Sequence, residues 1–263
     1  MGDSKFASSE ILGEGMKQYL DFIKTVGIED LFKEYKKESI VERCCPVCGK
    51  GHEKKCLVGS IFECCWCKTI FKSNILKEDT KALYPDSYYV DVIGSDYQYE
   101  NNSVVDLLCS KLKMGRILDI GCGGGDLLHE LWMKKGYTIY GNDITDKAQK
   151  TFSIPMFVCP AEEIDTDLKF DTVLMMYSIE HLFDIKKVFE VVKRVLTEDG
   201  TFVVQLWIGS RASILLDLVR SKDHFQHFTK KAFYKVIKCS GFKIVEWFDR
   251  FYTEDSFVFI KLK

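Results

Sequence analysis

Residues 117–128, ILDIGCGGGDLL, decide the fold of this chain. The apolar stretch 116–120 predicts a buried strand, residues 121–125 form a glycine-rich loop, and Asp126 opens a predicted helix. Glycines let the backbone turn tightly and approach a ligand without an intervening Cβ atom. The helix that follows offers free backbone N–H groups at its N-terminus. The stretch therefore predicts a cofactor site at the carboxyl end of a parallel strand.

Strands and helices alternate downstream of this loop. Segments rich in β-branched and aromatic residues predict strands, and amphipathic segments between them predict helices, which is typical of a parallel sheet covered on both faces. Two further strands near the C-terminus have so short a link that they must pair antiparallel. We therefore expect an α/β fold with a Rossmann-like, mostly parallel seven-stranded sheet and a C-terminal antiparallel hairpin. The predicted strands are 116–120, 138–142, 156–159, 170–176, 201–207, 242–251 and 256–263, and the predicted helices are 126–135, 145–151, 184–196 and 229–239.

Three acidic residues narrow the choice of cofactor. A dinucleotide loop requires glycine at position 126, where this chain has Asp126. Asp119 precedes the loop and would repel a pyrophosphate, since two like charges about 4 Å apart cost roughly 4 kcal/mol at an effective dielectric of 20. S-adenosylmethionine has no phosphate but carries an ammonium and a sulfonium, so the same acid favours it. Asp143, at the end of the second strand, is placed to accept ribose hydroxyls, although alone it equally fits a helix N-cap.

Four motifs in order carry a resemblance to a known family. From about residue 83 onward the chain resembles class I S-adenosylmethionine-dependent methyltransferases, through ILDIGCGGG, IYGNDIT, FVCPAEEI and FDTVLMMYSIEHL. The resemblance implies that Asp119, Gly121 and Gly123 face the methionine part of the cofactor and that Asp143 binds its ribose. It also implies adenine contacts at Ala161 and Glu162 and a place for Met176 beside the transferred methyl group. Cys122, Gly125 and Ile144 complete the expected cofactor site.

The cysteines predict a metal site rather than disulfides. Six of the eleven cysteines fall into two groups, and the N-terminus MGDSKFASSE shows no export signal. The C-x₂-C-x₁₅-C-x₂-C spacing of a four-thiolate zinc site is present in Cys45, Cys48, Cys64 and Cys67. Such a site has no open coordination position for a substrate, so we expect a structural role. Less well spaced substitutes are Cys44, Cys65, Cys56 and His52.

Two roles remain open for this cysteine-bearing module. Between Arg43 and Lys81 there are eight basic and four acidic residues, a net charge of +4, which is modest for a nucleic-acid grip. We favour a module that caps the substrate site or braces the fold. The sequence CPVCG, a later CxxC and YPDSYY are similar to a bacterial group that acts on sugars, lipids or other small metabolites. Ribosomal RNA guanine methyltransferases also carry a zinc module, but at their extreme N-terminus.

The predicted catalytic residues lie after the fourth strand and in a later segment. His181, which Glu180 precedes, is the candidate general base, and Glu180 orients it or helps to bind a divalent ion. His224 and His227 belong to a segment expected to fold over the site as a lid. Arg211 is a candidate anchor for an acidic substrate group, or an ordinary loop charge.

These observations predict a methyltransferase that acts on a small molecule and uses S-adenosylmethionine and a structural Zn²⁺ ion. The alternative is an RNA or protein methyltransferase that binds its polymer substrate through the zinc module.

We expect a helical segment at 1–42, a zinc-ribbon-like module at 43–82 and the methyltransferase domain at 83–263. The sequence shows no transmembrane helix, and its net charge of −2 gives no overall attraction to nucleic acid, so we expect a cytoplasmic protein without membrane insertion. The oligomeric state and the acceptor atom stay open.

Overall fold

The glycine loop follows the central strand of a seven-stranded sheet. The computed structural model describes residues 44–50, 54–73, 75, 97–249 and 255–263. The helical segment expected at 1–42, His52 and the motif YPDSYY lie outside this part. The strands are β1 (Lys54–Val58), β2 (Ile61–Cys64), β3 (Ile70–Lys72), β4 (Arg116–Ile120), β5 (Thr138–Asp143), β6 (Met156–Val158), β7 (Phe170–Met176), β8 (Leu196–Trp207), β9 (Gln226–His227), β10 (Phe242–Asp249) and β11 (Asp255–Leu262). The helices are α1 (Tyr97–Lys111), α2 (Asp126–Lys135), α3 (Lys147–Phe152), α4 (Ile185–Val195), α5 (Arg211–Arg220) and α6 (Lys230–Cys239).

The strand order of the large sheet is β10-β11-β8-β7-β4-β5-β6. The strands from β4 to β8 pair in parallel, and β11 pairs antiparallel with both β8 and β10. The mostly parallel sheet with its antiparallel hairpin is therefore confirmed. The order reverses between β4 and β7, and in such sheets ligands bind at this switch point, beyond the carboxyl ends of the strands.

The two faces of the sheet carry separate apolar cores. One face packs against α1 and α2, with Val105, Leu108, Leu128 and Leu131 buried. The other face packs against α4 and α6, whose apolar stripes include Val188 and Phe233. Burial of the sheet on both faces explains why its central strands read as almost continuous apolar runs.

The cysteine-bearing segment forms a second, four-stranded sheet in the order β1-β2-β3-β9. Its last strand, β9, comes from the far end of the chain: Ile70 pairs with His227 and Phe71 pairs with Gln226. The buried side chains of Cys45, Cys67 and Phe71 belong to the same apolar core as α4 and α6. The segment is thus packed into the body of the fold.

The buried side chain of Gln226 connects β9 to the turn after β7 through hydrogen bonds. The Gln226 side-chain amide donates to the carbonyl oxygens of Ile179, Glu180 and Leu182, at 2.7, 3.1 and 2.9 Å. The backbone N–H of Phe225 also donates to the Glu180 carbonyl, at 2.8 Å. These carbonyls belong to a 3₁₀ turn, Ile179–His181, and to the residue after it, where no regular helix pairs them.

In the described part of the chain, no helix is long and apolar enough to cross a bilayer. The cytoplasmic location and the three-part division of the chain stay predictions.

We expect Gln226→Leu to lower the free energy of unfolding by about 2–4 kcal/mol, because buried carbonyls left unpaired cost about 1–3 kcal/mol each. Urea denaturation measures this change. Gln149→Leu, at an exposed position on α3, is the matched control and should change stability by about 0.5 kcal/mol or less. Equal effects of the two substitutions would contradict the role given to the Gln226 amide.

Candidate active site

The glycine loop leaves no room for larger residues at two of its positions. Gly121 has φ of +75° and Gly125 has φ of +85°, a conformation that side chains disfavour. A Cβ atom at Gly121 would lie 2.6 Å from Cβ of Ser178, and one at Gly125 would lie 2.6 Å from Cβ of Ala148. The loop is therefore pressed against the turn after β7 and against α3, and glycine is needed at both places.

Asp119 presents an uncompensated carboxyl group behind this loop. Its side chain is 3% exposed at the end of β4, and its Oδ1 atom has no hydrogen-bond partner among the described residues. Burial, and then the negative charge of Asp143, raise the pKa of the Asp119 carboxyl to about 8. A buried acid in this state is suited to a cationic ligand, which would supply the missing partner and favour the ionised form.

Asp143 lies at the end of the neighbouring strand and organises the loop. Its Oδ2 atom accepts from the backbone N–H of Gly123 at 3.0 Å, and its Oδ1 atom accepts from the backbone N–H of Thr145 at 3.1 Å. The bond to Thr145 closes a turn before α3, but it does not cap that helix, whose N-cap is Asp146. The N-cap role that the sequence allowed for Asp143 as the alternative is therefore wrong. The Thr145 hydroxyl also donates to Oδ1, at 3.3 Å, so the carboxylate of Asp143 joins the glycine loop to the segment after β5.

The other predicted cofactor residues line the same edge of the sheet. Ala161 and Glu162 lie in a 3₁₀ turn after β6. The side-chain amide of Asn142 donates to the carbonyl oxygens of Phe157 and Cys159 and so fixes the chain just before this turn. Ala161 is buried, whereas the side chains at the remaining positions are half-buried: Cys122, Ile144, Glu162 and Met176. Sequence reasoning missed Asn142 and also Ser178, whose hydroxyl donates to the Ile120 carbonyl at 2.8 Å.

The turn after β7 holds Glu180 and His181. Glu180 is 4% exposed, and its Oε2 atom has no hydrogen-bond partner in the described part of the chain. The Nδ1 atom of His181 lies 3.0 Å from the carbonyl oxygen of Asp223, which orients the ring. Burial lowers the pKa of His181, and the charge of Glu180 opposes this effect. Both residues therefore lie at the carboxyl edge of the sheet, as predicted.

His224 and His227 converge on an acid that sequence reasoning missed. The Oδ2 atom of Asp217 in α5 lies 2.7 Å from Nδ1 of His224 and 2.7 Å from Nε2 of His227. Burial alone would lower the pKa of His224, but the hydrogen bond and the charge of Asp217 outweigh it and raise that pKa. The His224 ring also contacts the His181 ring, with centroids 4.8 Å apart. The segment that contains the two histidines thus packs beside His181.

The four favoured cysteines come together in the cysteine-bearing segment. Their sulfur atoms all lie within 4.8 Å of one another, with 3.5 Å between Sγ of Cys45 and Cys67 and 3.5 Å between Sγ of Cys48 and Cys64. The substitutes Cys44, Cys56 and Cys65 are exposed. The backbone N–H of Cys67 points at Sγ of Cys64, as a thiolate ligand requires. The donor set matches a tetrahedral four-sulfur site.

Arg211, a candidate substrate anchor in the sequence analysis, forms an ion pair within the protein. It begins α5, and its guanidinium forms an ion pair with Glu63 of β2 at 3.0 Å. This pair holds α5 against the cysteine-bearing sheet.

Comparison with known proteins decides the family. A family model described as "Methyltransferase domain" matches residues 93–247, which is more than half of the chain. The chain belongs to this methyltransferase family.

Individual relatives share a shorter region. The mitochondrial ubiquinone biosynthesis O-methyltransferase of Bos taurus is 31% identical over 122 residues, which cover 41% of this chain and 33% of that protein. The chain thus matches only about a third of the length of this curated relative. Among solved structures, an S-adenosylmethionine-dependent methyltransferase from Clostridium acetobutylicum has a TM-score of 0.52 at 16% identity, covering 70% of this chain and 98% of that one. The mitomycin 7-O-methyltransferase has a TM-score of 0.58 at 14% identity, covering 71% and 59%. These structures support the fold.

The residues of this methyltransferase fit S-adenosylmethionine. The cofactor is a cation, and Asp119 offers a buried oxygen that no other described residue contacts by a hydrogen bond. The glycine loop has no space for a Cβ atom at Gly121 or Gly125, so a ligand there meets the backbone. The carboxylate of Asp143 lies beside the loop and contacts Gly123. A phosphate-bearing cofactor would meet the two carboxyl groups of Asp119 and Asp143 instead.

We expect S-adenosylmethionine binding to release a proton from Asp119. At pH 6.5 a carboxyl with a pKa of about 8 is mostly protonated, whereas an ion pair with the cofactor requires it ionised. Binding should therefore tighten as the pH rises from 6 towards 7.5, by up to about tenfold per pH unit. Calorimetry at pH 6.5 in buffers of different ionisation enthalpy counts the released protons.

Asp119→Asn should abolish the proton release and weaken binding, and Asp165→Asn, at a fully exposed position, should change neither. Proton release that persists in Asp119→Asn would assign it to another group.

Proposed function

We propose that this methyltransferase transfers the methyl group of S-adenosylmethionine to a hydroxyl group of a small molecule. The uncompensated buried carboxyl group of Asp119, beside a glycine loop, carries the assignment of the donor. The small acceptor and the choice of oxygen are supported by the curated relatives, which are named as O-methyltransferases of ubiquinone biosynthesis. Sugars, lipids and other hydroxyl-bearing metabolites belong to the same proposal.

The donor half of the site would hold the cofactor through residues of β4, β5, β6 and β7. Asp119 would compensate its positive charge, Gly121, Cys122, Gly123 and Gly125 would surround its methionine part, and Asp143 with Ile144 would contact the ribose. Ala161 and Glu162 would lie at the adenine, and Met176 at the methyl group. When bound, the cofactor supplies an electrophilic methyl group on a sulfonium.

The acceptor half would be formed by the turn after β7 and by the segment around β9. A hydroxyl attacks in line with the departing sulfur and must lose its proton, so alignment and a base both contribute. His181 is the proposed base, because the Asp223 carbonyl oxygen orients its ring and the carboxylate of Glu180 would stabilise the protonated imidazole. His224 and His227 would close this side of the site.

The four cysteines are proposed to bind a structural Zn²⁺ ion. Cys45, Cys64 and Cys67 are buried in the core shared with α4 and α6, a position that supports a bracing role. A module that binds a polymer substrate needs basic side chains that are available to contact it. Here Lys72 donates to the Ser221 carbonyl at 2.5 Å, and Lys50 stacks over the Trp66 ring at 4.8 Å. These contacts favour the small-molecule function over RNA or protein methylation.

Substitution His181→Gln should lower kcat about 100-fold or more, since general bases contribute about 10²–10⁴-fold, and leave the Kd for S-adenosylmethionine within about twofold. Release of S-adenosylhomocysteine, measured with a panel of phenols, sugars and hydroxy acids, gives kcat for the best acceptor. The control is His129→Gln, in α2, where the ring stacks on Phe152 and has no proposed role.

An unchanged kcat in His181→Gln would reject His181 as the base. Turnover on RNA or protein, with none on the small-molecule panel, would reject the proposed acceptor class.

Removal of the proposed Zn²⁺ ion should lower the melting temperature and the activity together, because β3 pairs with β9 next to the acceptor side. Thermal unfolding and turnover are measured with the wild-type protein and with Cys64→Ser, before and after treatment with a chelator. Cys239→Ser, at an exposed position on α6, is the matched control. A chelator that leaves both quantities unchanged would contradict the structural zinc site.

A further inference from the structure

A second group of potential metal ligands is formed by residues other than the four cysteines. It consists of Oδ2 of Asp217, Nδ1 of His224 and Nε2 of His227. The oxygen is 2.7 Å from each nitrogen, and the two nitrogens are 3.3 Å from each other. Three ligand atoms from α5, the loop before β9 and β9 itself therefore face one another.

Hydrogen bonding accounts poorly for the approach of the two imidazole rings. If both rings donate to the single Asp217 oxygen, two N–H dipoles lie side by side with their nitrogens only 3.3 Å apart. A cation between the three atoms replaces both protons and attracts all three lone pairs. Tetrahedral ligand atoms at about 2.0–2.2 Å from an ion lie about 3.3–3.6 Å apart. The two nitrogens, 3.3 Å apart, are at the short end of this range. The oxygen would have to withdraw from each nitrogen by roughly 0.6–0.9 Å to reach it.

The rings are held in place by the surrounding structure. His227 is 3% exposed, its backbone pairs with Ile70 of β3, and its ring meets the edge of Trp207 at 5.1 Å. The backbone N–H of His224 donates to the Ser221 hydroxyl at 3.1 Å. Asp217 projects from a helix anchored by the buried side chains of Ile214 and Leu218. Ligands fixed by their neighbours in this way lose little freedom when an ion binds.

A nearby uncompensated acid is an independent sign of a missing positive charge. The buried Glu180 has a carboxylate oxygen within 4.8 Å of a ring nitrogen of His224, and its Oε2 atom has no hydrogen-bond partner among the described residues. Together with Asp217, it places two carboxylates around His224. A divalent ion balances both.

We propose that Asp217, His224 and His227 bind a divalent transition-metal ion of the zinc class. Two imidazoles and one carboxylate suit Zn²⁺, Co²⁺, Mn²⁺ or Fe²⁺ and are too few in oxygen ligands for Ca²⁺ or Mg²⁺. Three protein ligands leave at least one coordination position for water or for an oxygen of a bound molecule. The ion fastens α5 to β9. This site does not depend on the methyl acceptor proposed above.

The experiment counts ions in the full-length chain by native mass spectrometry at saturating Zn²⁺. The wild type should hold two ions, one at the cysteines and one at this site. Asp217→Asn and His224→Gln, which preserve side-chain size, should hold one. His129→Gln should hold two.

Substitution with Co²⁺ identifies the donors at each site. The cysteine site gives intense thiolate-to-metal charge-transfer absorption, and the histidine site gives only weak d–d bands, which should disappear in Asp217→Asn and His224→Gln. Titration should show the affinity of this second site weakened at least about 100-fold in both variants. Circular dichroism confirms that the variants are folded, and His227→Gln replaces any variant that is not.

A single ion in the wild type, or two ions retained in both folded variants, would overturn the proposal. In that case the three residues form only a hydrogen-bonded cluster. Because the readout is metal content, this result leaves the methyl-transfer proposal standing, and a failure to bind S-adenosylmethionine leaves the metal proposal standing.

Discussion

The acceptor side of this protein depends on the hydrogen bonds of Gln226. Its side-chain amide contacts three carbonyl oxygens at the end of β7, while its backbone lies in the strand that pairs with β3. A 3₁₀ turn leaves its carbonyls without the partners that an α-helix would give them, so they must be satisfied from elsewhere in the chain. One residue therefore fixes Glu180 and His181 relative to both the second sheet and the segment that carries His224 and His227.

The cysteine-bearing segment takes its place in the fold from this arrangement. Its sheet is completed by β9, which lies more than 150 positions further along the chain, and its cysteines share a core with α4 and α6. A bound ion would contribute its binding free energy to this packing, since a site of this kind exists only in the folded chain. Ion binding in the segment would thereby be coupled to the proposed methyl-transfer site, although no residue of the segment belongs to the predicted cofactor site.

Local sequence patterns predict the proposed donor half because its residues lie close together along the chain. β4, the loop at 121–125, α2 and Asp143 lie within some 30 consecutive positions, and each has its own signal in an apolar run, glycines or an acid at the end of a strand. β9 has two residues and hence no periodicity to detect. Helix α5 is not among the helices predicted from the sequence. Asp217 is a single acid on that helix, a pattern that usually marks a solvated face. Its pairing with His224 and His227 depends on a packing that no short stretch encodes.

Two buried carboxyl groups show how the two halves of the site differ. Oδ1 of Asp119 and Oε2 of Glu180 both lack hydrogen-bond partners within the described residues, a rare and costly state for a buried oxygen. Asp119 lies in β4, beside the glycine loop, and Glu180 lies after the neighbouring strand β7, in the turn that the Gln226 amide contacts. A fold retains such atoms where something outside the chain compensates them. In the proposed function the charge that compensates Asp119 belongs to the methyl donor, and the charge that compensates Glu180 belongs to a protonated imidazole or to a metal ion. The proposed donor site is therefore encoded in one stretch of sequence, whereas the proposed acceptor site depends on contacts among three separate stretches of the chain.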